Sequence, residues 1–155
     1  MIRKTGERIE IEMKNIKDFD LKGILDKAEQ GYAVAQFELG CCYAYGACVE
    51  KDHMRAKEWF EKSAKQGNAD AQYFLGFHHY GSYEEGNPKD LEPALEYYIS
   101  AAKQGNLNAQ YNLALHYYLD ESLEQNLELV VEGLEDAASQ GVLKAREILE
   151  KIASA

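Results

Sequence analysis

The side chains best suited to chemistry in this 155-residue sequence are three cysteines and a histidine that lie close together. Cys41, Cys42 and Cys48 fall within eight residues, and His53 follows five residues later. Thiolates and imidazoles bind structural zinc, but such sites usually draw their cysteines from C-x2-C pairs. Adjacent residues on a helix point about 100° apart, so Cys41 and Cys42 are poorly placed to hold one ion. The pattern favours small apolar packing residues, and no metal or other cofactor is predicted.

Two further histidines could also be metal ligands. His78 and His116 are 38 residues apart, which is one period of the repeat described below, and Cys42 is their equivalent one repeat earlier. A column of imidazoles could bind metal, but neighbouring helices lie ~8–10 Å apart, which is awkward for one shared ion. We expect packed or hydrogen-bonded histidines instead.

No catalytic motif is present. The sequence contains no G-x-x-x-x-G-K-[ST], G-x-G-x-x-G, G-x-S-x-G or H-E-x-x-H pattern. Its carboxylates are numerous, but none stands out as a catalytic pair in an apolar setting. We therefore predict no enzymatic activity and no small-molecule substrate.

The composition of the chain limits the kinds of partner it could bind and the compartment in which it could function. The net charge of −10 disfavours nucleic acid, because phosphate contacts need Lys and Arg. No apolar run approaches membrane-spanning length, and the N-terminus lacks the apolar core of a signal peptide, so no membrane association is predicted. An odd number of cysteines is typical of reduced thiols rather than a disulfide framework. These features predict a cytoplasmic protein.

The elements that position these side chains come from an internal repeat. The phrase Ala-x-Gln-Gly recurs with spacings of 36, 38 and 36 residues, at Ala28–Gly31, Ala64–Gly67, Ala102–Gly105 and Ala138–Gly141. An alanine follows each copy at a fixed offset, and a leucine comes four residues later. Self-similarity at this period is typical of stacked helical units. The sequence therefore predicts an all-α chain.

The repeat divides the chain into an N-terminal arm and a single solenoid. The arm covers 1–17, and the solenoid covers 18–155 as a half repeat (18–31), three repeats (32–67, 68–105, 106–141) and a C-terminal capping half repeat (142–155). The predicted helices lie near 19–30, 32–45, 53–66, 68–80, 91–104, 106–118, 127–139 and 142–153. Asp52, Asp90 and Asn126 are the predicted N-caps of the second helices, and Gly67 is a predicted left-handed C-terminal residue.

Small residues in the repeat predict close packing. Gly40 and the alanines at 35, 56 and 64 are interpreted as allowing each helix pair to stack closely on the next pair. In the third repeat Gly133 stands where Trp59 and Tyr97 stand in the first two. A glycine inside a helix costs about 1 kcal/mol relative to alanine, so this helix is expected to be bent or closely packed.

The segment LGCCYAYGACVEKDHMRAKEWFEKSAKQG resembles the Sel-1-like repeat family, a tetratricopeptide-like group. The family pattern reads here as Ala35, Leu39-Gly40, Tyr43, Gly46, Val49, Asp52, Ala56, Trp59 and Ala64, and the resemblance covers 28–149. GNPKD at 86–90 matches the family's loop before the second helix. The sequence departs from the pattern where Cys48 replaces a loop glycine, His79 replaces the tyrosine, and the third repeat's loop lacks both glycines.

This resemblance implies a right-handed α-α superhelix, or α-solenoid, of antiparallel helix pairs that acts as a protein-binding scaffold. In the cysteine-rich branch of the family, cysteines pair across helices within each repeat. That spacing is absent here, so neither the disulfides nor the activity proposed for that branch is carried over.

One face of the first helix of each repeat is a candidate binding groove. In a solenoid of helix pairs the first helices line the concave side, and aromatic side chains supply large contact area there. We expect Tyr45 and Phe77 to be more exposed than Tyr111, while packing between repeats is the competing role for every member. The predicted groove residues are Phe37, Cys41, Tyr45, Tyr73, Phe77, Tyr111 and Leu115.

The third repeat carries a concentrated negative charge. No Lys or Arg occurs between Lys103 and Lys144, while seven carboxylates do. These charges either keep the protein soluble or form an acidic surface for a basic partner, and the sequence leaves both interpretations open. The candidate acidic face is Glu124, Glu128, Glu132 and Asp136.

Three functions follow from these patterns. The favoured one is a non-enzymatic, cytoplasmic scaffold that binds a protein or peptide through the concave groove. A narrower alternative is a small acidic inhibitor that neutralises a basic protein, such as the immunity partner of a bacterial toxin. The third is a hydrolase of the cysteine-rich Sel-1-like type, for which the sequence offers no catalytic residues.

Overall fold

A computed structural model describes residues 20–119 and 127–154, apart from five side chains within those ranges. The predicted N-terminal arm at 1–17, the predicted cap Asn126 and the acidic residue Glu124 therefore lie outside the described residues.

The described residues form α-helices joined by short turns, and no β-strand occurs among them. The helices are α1 (Leu21–Glu29), α2 (Ala33–Tyr45), α3 (His53–Lys65), α4 (Ala69–Glu84), α5 (Leu91–Lys103), α6 (Leu107–Leu119), α7 (Leu127–Ser139) and α8 (Leu143–Ser154), with a 3-10 turn at Pro88–Asp90. The all-α prediction is confirmed. One boundary differs by more than two residues: α4 continues to Glu84 where the sequence predicted an end at 80.

Local signals set most of these helix ends. The Asp52 carboxylate accepts hydrogen bonds from the backbone N–H groups of Met54 and Arg55, each at 3.0 Å, which caps α3 as predicted. Gly67 has a φ of +88°, so α3 ends in a left-handed residue as predicted. Cys48, in the loop position of the family glycine, has a φ of +64° and is the one non-glycine residue in the described chain with a positive φ.

Asp90 occupies the predicted N-cap position of α5, but its side chain does not cap the helix. Asp90 ends the 3-10 turn with helical φ and ψ, and its side chain makes no capping hydrogen bond to α5. Its carboxylate accepts hydrogen bonds from Ser82 Oγ at 2.7 Å and from the Asn87 amide, and it contacts His79 Nδ1 at 2.9 Å. The longer α4 brings Ser82 within hydrogen-bond distance of Asp90. The Asp90 carboxylate therefore bonds to side chains of α4 and the loop instead of to the backbone of α5.

The helices form two compact units, one up to Gln66 and one from Gly67 onward. In the first unit α2 and α3 are antiparallel, because Ser63 Oγ donates to the Ala33 carbonyl at 2.6 Å while Arg55 reaches the Tyr43 hydroxyl at 3.3 Å. In the second unit α4 pairs with α5 and α6 pairs with α7. The core of that unit centres on α5, with Leu95 and Tyr98 fully buried.

Small residues let the two helices of one repeat approach each other. A Cβ built on Gly40 of α2 would lie 2.7 Å from the Phe60 ring of α3, and one on Gly76 of α4 would lie 2.9 Å from the Tyr98 ring of α5. The glycines therefore face the partner helix of the same repeat, and the predicted role of Gly40 in stacking successive pairs is wrong. In the third repeat the contact is reversed, because Gly133 of α7 lies against the Leu113 side chain of α6.

Polar side chains join successive helices at one repeat position, where Gln36 and Gln110 are buried and Arg146 is exposed. Gln36 Nε2 donates to the Ala28 carbonyl at 3.2 Å, and Gln110 Nε2 donates to the Ala102 carbonyl at 3.1 Å. Arg146 holds the same position in the last half repeat and donates to the Ala138 carbonyl through Nε at 3.4 Å. Each bond adds a side-chain donor to a carbonyl in the last turn of a helix, which also accepts from the backbone N–H of the glycine three residues later.

Candidate functional site

In the first unit, most of the predicted groove residues pack inside the repeat. The Phe37 ring lies 5.7 Å from the Phe60 ring of α3, centroid to centroid, and Cys41 is buried. Tyr45, at the end of α2, is half-buried. The first repeat therefore presents little of this stripe to a partner.

In the second unit, the stripe divides into packed and exposed members. Tyr73 packs on Tyr98 at a centroid distance of 6.2 Å, and burial raises the pKa of the Tyr73 hydroxyl, an effect that the Asn112 side chain partly offsets. Phe77 is 44% exposed and Tyr111 is 47% exposed, while Leu115 is half-buried. The expectation that Tyr45 is more exposed than Tyr111 is wrong, because Tyr45 is half-buried while Tyr111 is exposed.

Side-chain contacts connect α4 and α6 near both of their ends. Near the start of the two helices, Asn106 Nδ2 donates to Asp70 Oδ1 at 2.8 Å. Towards their ends, the Tyr80 and His116 rings stack with centroids 3.6 Å apart. Phe77 lies between the first and second contacts along α4, and Tyr111 lies between them along α6. We call this surface, defined by Phe77, Tyr111 and Leu115, the α4–α6 face.

The charge on these two helices is low and negative. Neither α4 nor α6 contains a Lys or Arg, and their only carboxylates are Asp70 and Glu84. The second helix α3, by contrast, carries four basic residues. An apolar face without cations suits protein contact and offers no phosphate-binding groups.

The cysteines do not form a ligand set. Cys41 and Cys42 are buried and Cys48 is exposed, and none of the three forms a disulfide. Packing therefore accounts for two of the three, and Cys48 departs from that expectation because its loop turns outward. Burial raises the pKa of the Cys42 thiol to about 11, with smaller contributions from Cys48 and Glu38. Within residues 20–119 and 127–154 no group of three or more His, Cys, Asp and Glu side chains could hold a metal ion.

The two predicted histidines have different surroundings. His116 is half-buried and stacks on Tyr80, with Tyr98 further away at 5.7 Å. His78 is exposed, and its ring centroid lies 6.0 Å from that of His79. The structure therefore packs His116 and leaves His78 at the surface.

A polar cluster around His79 was missed by the sequence reasoning. Asp90 joins His79, Ser82 and Asn87, and the His79 ring stacks on Tyr97 with centroids 5.7 Å apart. The cluster ties the loop between α4 and α5 to both helices. The available signal was His79 in the position of the family tyrosine, together with a loop two residues longer than that of the first repeat.

The acidic face is only partly free. Glu128 and Glu132 are exposed, and Asp136 is half-buried. Glu132 forms an ion pair with Lys103 of α5, and this hydrogen bond is the main reason that the pKa of Lys103 is raised. Of the three described members, Glu132 is therefore already engaged by a cation of the chain itself.

These features define the class of protein. The described helices pair as repeated hairpins, and none of them is both long and apolar enough to cross a membrane. The model of the Sel1 repeat matches residues 33–68, 69–106 and 107–129. The chain belongs to the Sel1 repeat family, whose members are helical solenoids that act as protein-interaction scaffolds.

Similar proteins come from plants and bacteria. The chain is 39% identical over 67 residues to the ERAD-associated E3 ubiquitin-protein ligase component HRD3B of Arabidopsis thaliana, and 37% identical over 67 residues to component HRD3A. Each match covers 43% of this chain, and the matched part spans about a tenth of those longer proteins.

Two solved structures share the fold. A protective antigen present in uropathogenic Escherichia coli strains, which displays an SLR fold, is 36% identical with a TM-score of 0.61, covering 79% of this chain and 26% of that one. A Sel1 repeat protein from Oxalobacter formigenes is 31% identical with a TM-score of 0.63, covering 85% of this chain and 98% of that one.

Proposed function

We propose that this chain is a non-catalytic scaffold that binds a protein or an unfolded peptide segment through the α4–α6 face. The observation that carries the proposal is the exposure of Phe77 and Tyr111 on two helices that side-chain contacts connect near both ends. Large aromatic side chains that stay partly exposed on a rigid scaffold are typical anchors of protein interfaces.

Rigidity of the face supports this function. Tyr73 packs on Tyr98 and Tyr80 stacks on His116, so ring contacts order other side chains of the two helices that carry Phe77 and Tyr111. Preorganised anchors lose less conformational entropy on binding than mobile ones do. The plant relatives are named as components of a ligase, which also fits a protein that works by binding another protein. The lack of a disulfide among Cys41, Cys42 and Cys48 suits a reducing compartment, and we place this function in the cytoplasm.

The test is capture of partners from an extract of the native host by the immobilised protein. We expect Phe77→Ser and Tyr111→Ser each to weaken capture of a specific partner by about 2 kcal/mol, or roughly 30-fold. Both residues are about half exposed, so the thermal midpoint should change little.

A matched control distinguishes this face from general surface hydrophobicity. Met54 lies on the second helix α3 and is 71% exposed, so Met54→Ser removes a comparable apolar side chain from another surface. Capture should survive this change. Equal loss in Met54→Ser and Phe77→Ser would contradict the proposal, as would unfolding of both variants of the α4–α6 face.

A second candidate function is a small acidic inhibitor that neutralises a basic protein. The observation that favours it is the exposure of Glu128 and Glu132 in a stretch without Lys or Arg. The ion pair between Glu132 and Lys103 weakens this candidate, because a partner would have to compete with Lys103. The salt dependence described in the Discussion separates the two functions.

A further inference from the structure

A cleft of about 650 Å³ lies between α1 and the start of α2. It belongs to the first unit, whereas the α4–α6 face belongs to the second. Its volume falls within the range of roughly 300–1,000 Å³ that is typical of binding pockets. The lining residues that determine its chemistry come from both helices and the turn between them: Asp26, Lys27, Gln30, Tyr32, Val34 and Glu38.

The α1 side of the cleft is a surface that contacts a first helix in a complete repeat. Lys27 and Gln30 are equivalent to Ser63 and Gln66, which lie 36 residues later. The Ser63 hydroxyl donates to the Ala33 carbonyl at 2.6 Å, and the Gln66 amide donates to the turn before that helix at 2.8 Å. Both side chains therefore bond to the first helix of their own repeat or to the turn that precedes it.

The α2 side of the cleft also corresponds to a surface that contacts a first helix. Tyr32 is equivalent to Asn106, whose side chain donates to the preceding first helix at 2.8 Å. Glu38 is equivalent to Asn112, whose side chain hydrogen-bonds to Tyr73 of that helix. Because both sides correspond to surfaces that contact a first helix, the cleft has the form of a helix-binding groove.

Two exposed apolar side chains lie where the next two repeats have polar ones. Tyr32 is 60% exposed and Val34 is 63% exposed, while the same positions hold only Asn and Asp in the next two repeats, and Val142 and a lysine in the last half repeat. Asn68 and Asn106 each cap a helix by accepting from a backbone N–H at 2.9 Å, whereas Tyr32 makes no capping bond through its side chain. The exchange gives up a stabilising cap for an exposed ring, and such departures from local rules are expected at functional sites.

The charges of the cleft favour a basic occupant. Asp26 and Glu38 are exposed on opposite sides of it, and between described residues no ion pair involves either carboxylate. The position of Glu38 holds Phe, Asn and Ile in the later repeats, so the carboxylate occurs there only beside the cleft. Lys27 is the one cation among the described lining residues.

We propose that this cleft binds an amphipathic helix of a basic partner protein, with apolar side chains of that helix against Tyr32 and Val34 and its Lys or Arg side chains beside Asp26 and Glu38. A helix that lies in a groove through an apolar stripe is a common mode of peptide recognition, and opposite charges around the stripe select the partner. A second copy of this chain fits less well, because both molecules carry a net charge of −10 and repel each other.

Selection from a display library of random peptides, each about 14 residues or four helical turns long, tests this proposal with the full chain as the target. The counter-target is Tyr32→Asn together with Val34→Asn, which restores the residue types of the third repeat and should stay folded because it adds a capping residue. We expect enriched peptides with apolar residues at i, i+4 spacing and with Lys or Arg. Their affinity for the double variant should fall by about tenfold or more.

Hydrogen exchange with a selected peptide locates the site, and charge variants test the selectivity. The bound peptide should slow amide exchange in α1 and at the start of α2. Asp26→Asn together with Glu38→Gln should weaken its binding by about tenfold at low salt and by less at high salt. Glu92→Gln together with Glu96→Gln is the matched control, because it removes the same charge from exposed positions of α5, and it should leave the affinity unchanged.

Four other outcomes would overturn the proposal. The first is a selection that yields only acidic peptides or peptides that bind the double variant equally well. The second is protection of α4 and α6 in place of α1 and α2, which would assign the peptides to the α4–α6 face. The third is a dimer in analytical ultracentrifugation that the double variant abolishes, which would assign the cleft to a second copy. The fourth is α1 exchange in the free chain that is already as slow as in α7 and that the double variant speeds, which would mean that the chain itself covers the cleft.

Discussion

The ring of Phe60 lies so close to Gly40 that a Cβ on residue 40 would come within 2.7 Å of Phe60 Cδ1. Because Phe60 is buried, its ring has little room to move aside. Gly40→Ala should therefore destabilise the protein by about 1–2 kcal/mol, since the cost of overpacking exceeds the gain in helix propensity of roughly 1 kcal/mol. Chemical denaturation measures the free energy of unfolding.

Gly81→Ala is the control for this prediction. Gly81 lies inside α4, and nothing comes within 4 Å of a Cβ built on it. The propensity gain should then appear alone, as about 0.5–1 kcal/mol of added stability. A stabilising Gly40→Ala would show that Phe60 yields easily and that the close approach is unimportant.

Cys48 adopts a left-handed conformation that a side chain disfavours. Its φ of +64° costs a non-glycine residue about 1–2 kcal/mol, while glycine in the unfolded chain costs about 0.4–1 kcal/mol in entropy. Cys48→Gly should thus raise the free energy of unfolding by about 0.5–1 kcal/mol. Cys48→Ala keeps the strain and removes the thiol, so it should show no such gain, and equal stabilisation by both variants would rule out the backbone explanation.

The buried thiol of Cys42 should make the protein sensitive to alkali. Burial raises the pKa of Cys42 from 9.0 to about 11, so the folded state favours the protonated thiol. This stabilisation is complete below pH 9 and is lost as the pH rises from 9 to 11, by about 2–3 kcal/mol in all. Denaturation at several pH values measures the slope.

Cys42→Ala should flatten that alkaline slope, although it costs some packing at every pH. Part of the slope will remain, because burial also raises the pKa of the Tyr98 hydroxyl. Identical slopes in Cys42→Ala and the parent protein would mean that Cys42 does not titrate in this range.

The acidic face can be tested by salt dependence. If Glu128, Glu132 and Asp136 attract a basic partner, the association rate should fall as salt rises, because the Debye length shrinks from ~10 Å at 0.1 M to ~3 Å at 1 M. Replacing these residues and Glu124 with Gln or Asn should slow association at low salt. Stopped-flow or surface-based kinetics with the authentic partner measure this rate.

The same exchange has opposing effects on stability. Removing like charges four residues apart gains a few tenths of a kcal/mol, but Glu132→Gln also breaks the ion pair with Lys103. A variant in which only Glu132 is restored to the neutralised protein measures the contribution of the Glu132–Lys103 ion pair to the free energy of unfolding. An unchanged association rate at low salt would leave the charges with a role in solubility only.

The repeat period was enough to predict the helices. An alanine and a leucine that recur at fixed offsets mark the buried face of each first helix, and each repeat then pairs a first helix with a second one. Asp52 and Gly67 were also predictable, since capping depends on neighbours within a few residues. The role of the Asp90 side chain was not, because its partner Ser82 lies in a part of α4 that extends four residues further than predicted.

The candidate face was only partly predictable from the stripe. Phe37, Tyr73 and Phe77 occupy one helical face in sequence, yet Phe37 packs on Phe60 and Tyr73 packs on Tyr98, while Phe77 remains exposed. Which aromatic residue is covered depends on side chains of another helix, and periodicity within one helix carries no information about them.

The bonds from Gln36 to Ala28 and from Gln110 to Ala102 each join residues eight positions apart. Both residues of such a bond lie within eight positions of each other, so they are copied or deleted together when a whole repeat is copied or deleted. Duplication of one 36-residue segment would therefore supply both the donor and the acceptor of the new bond between repeats, without compensating changes elsewhere. A chain built in this way can change its length during evolution, or by design, one complete repeat at a time.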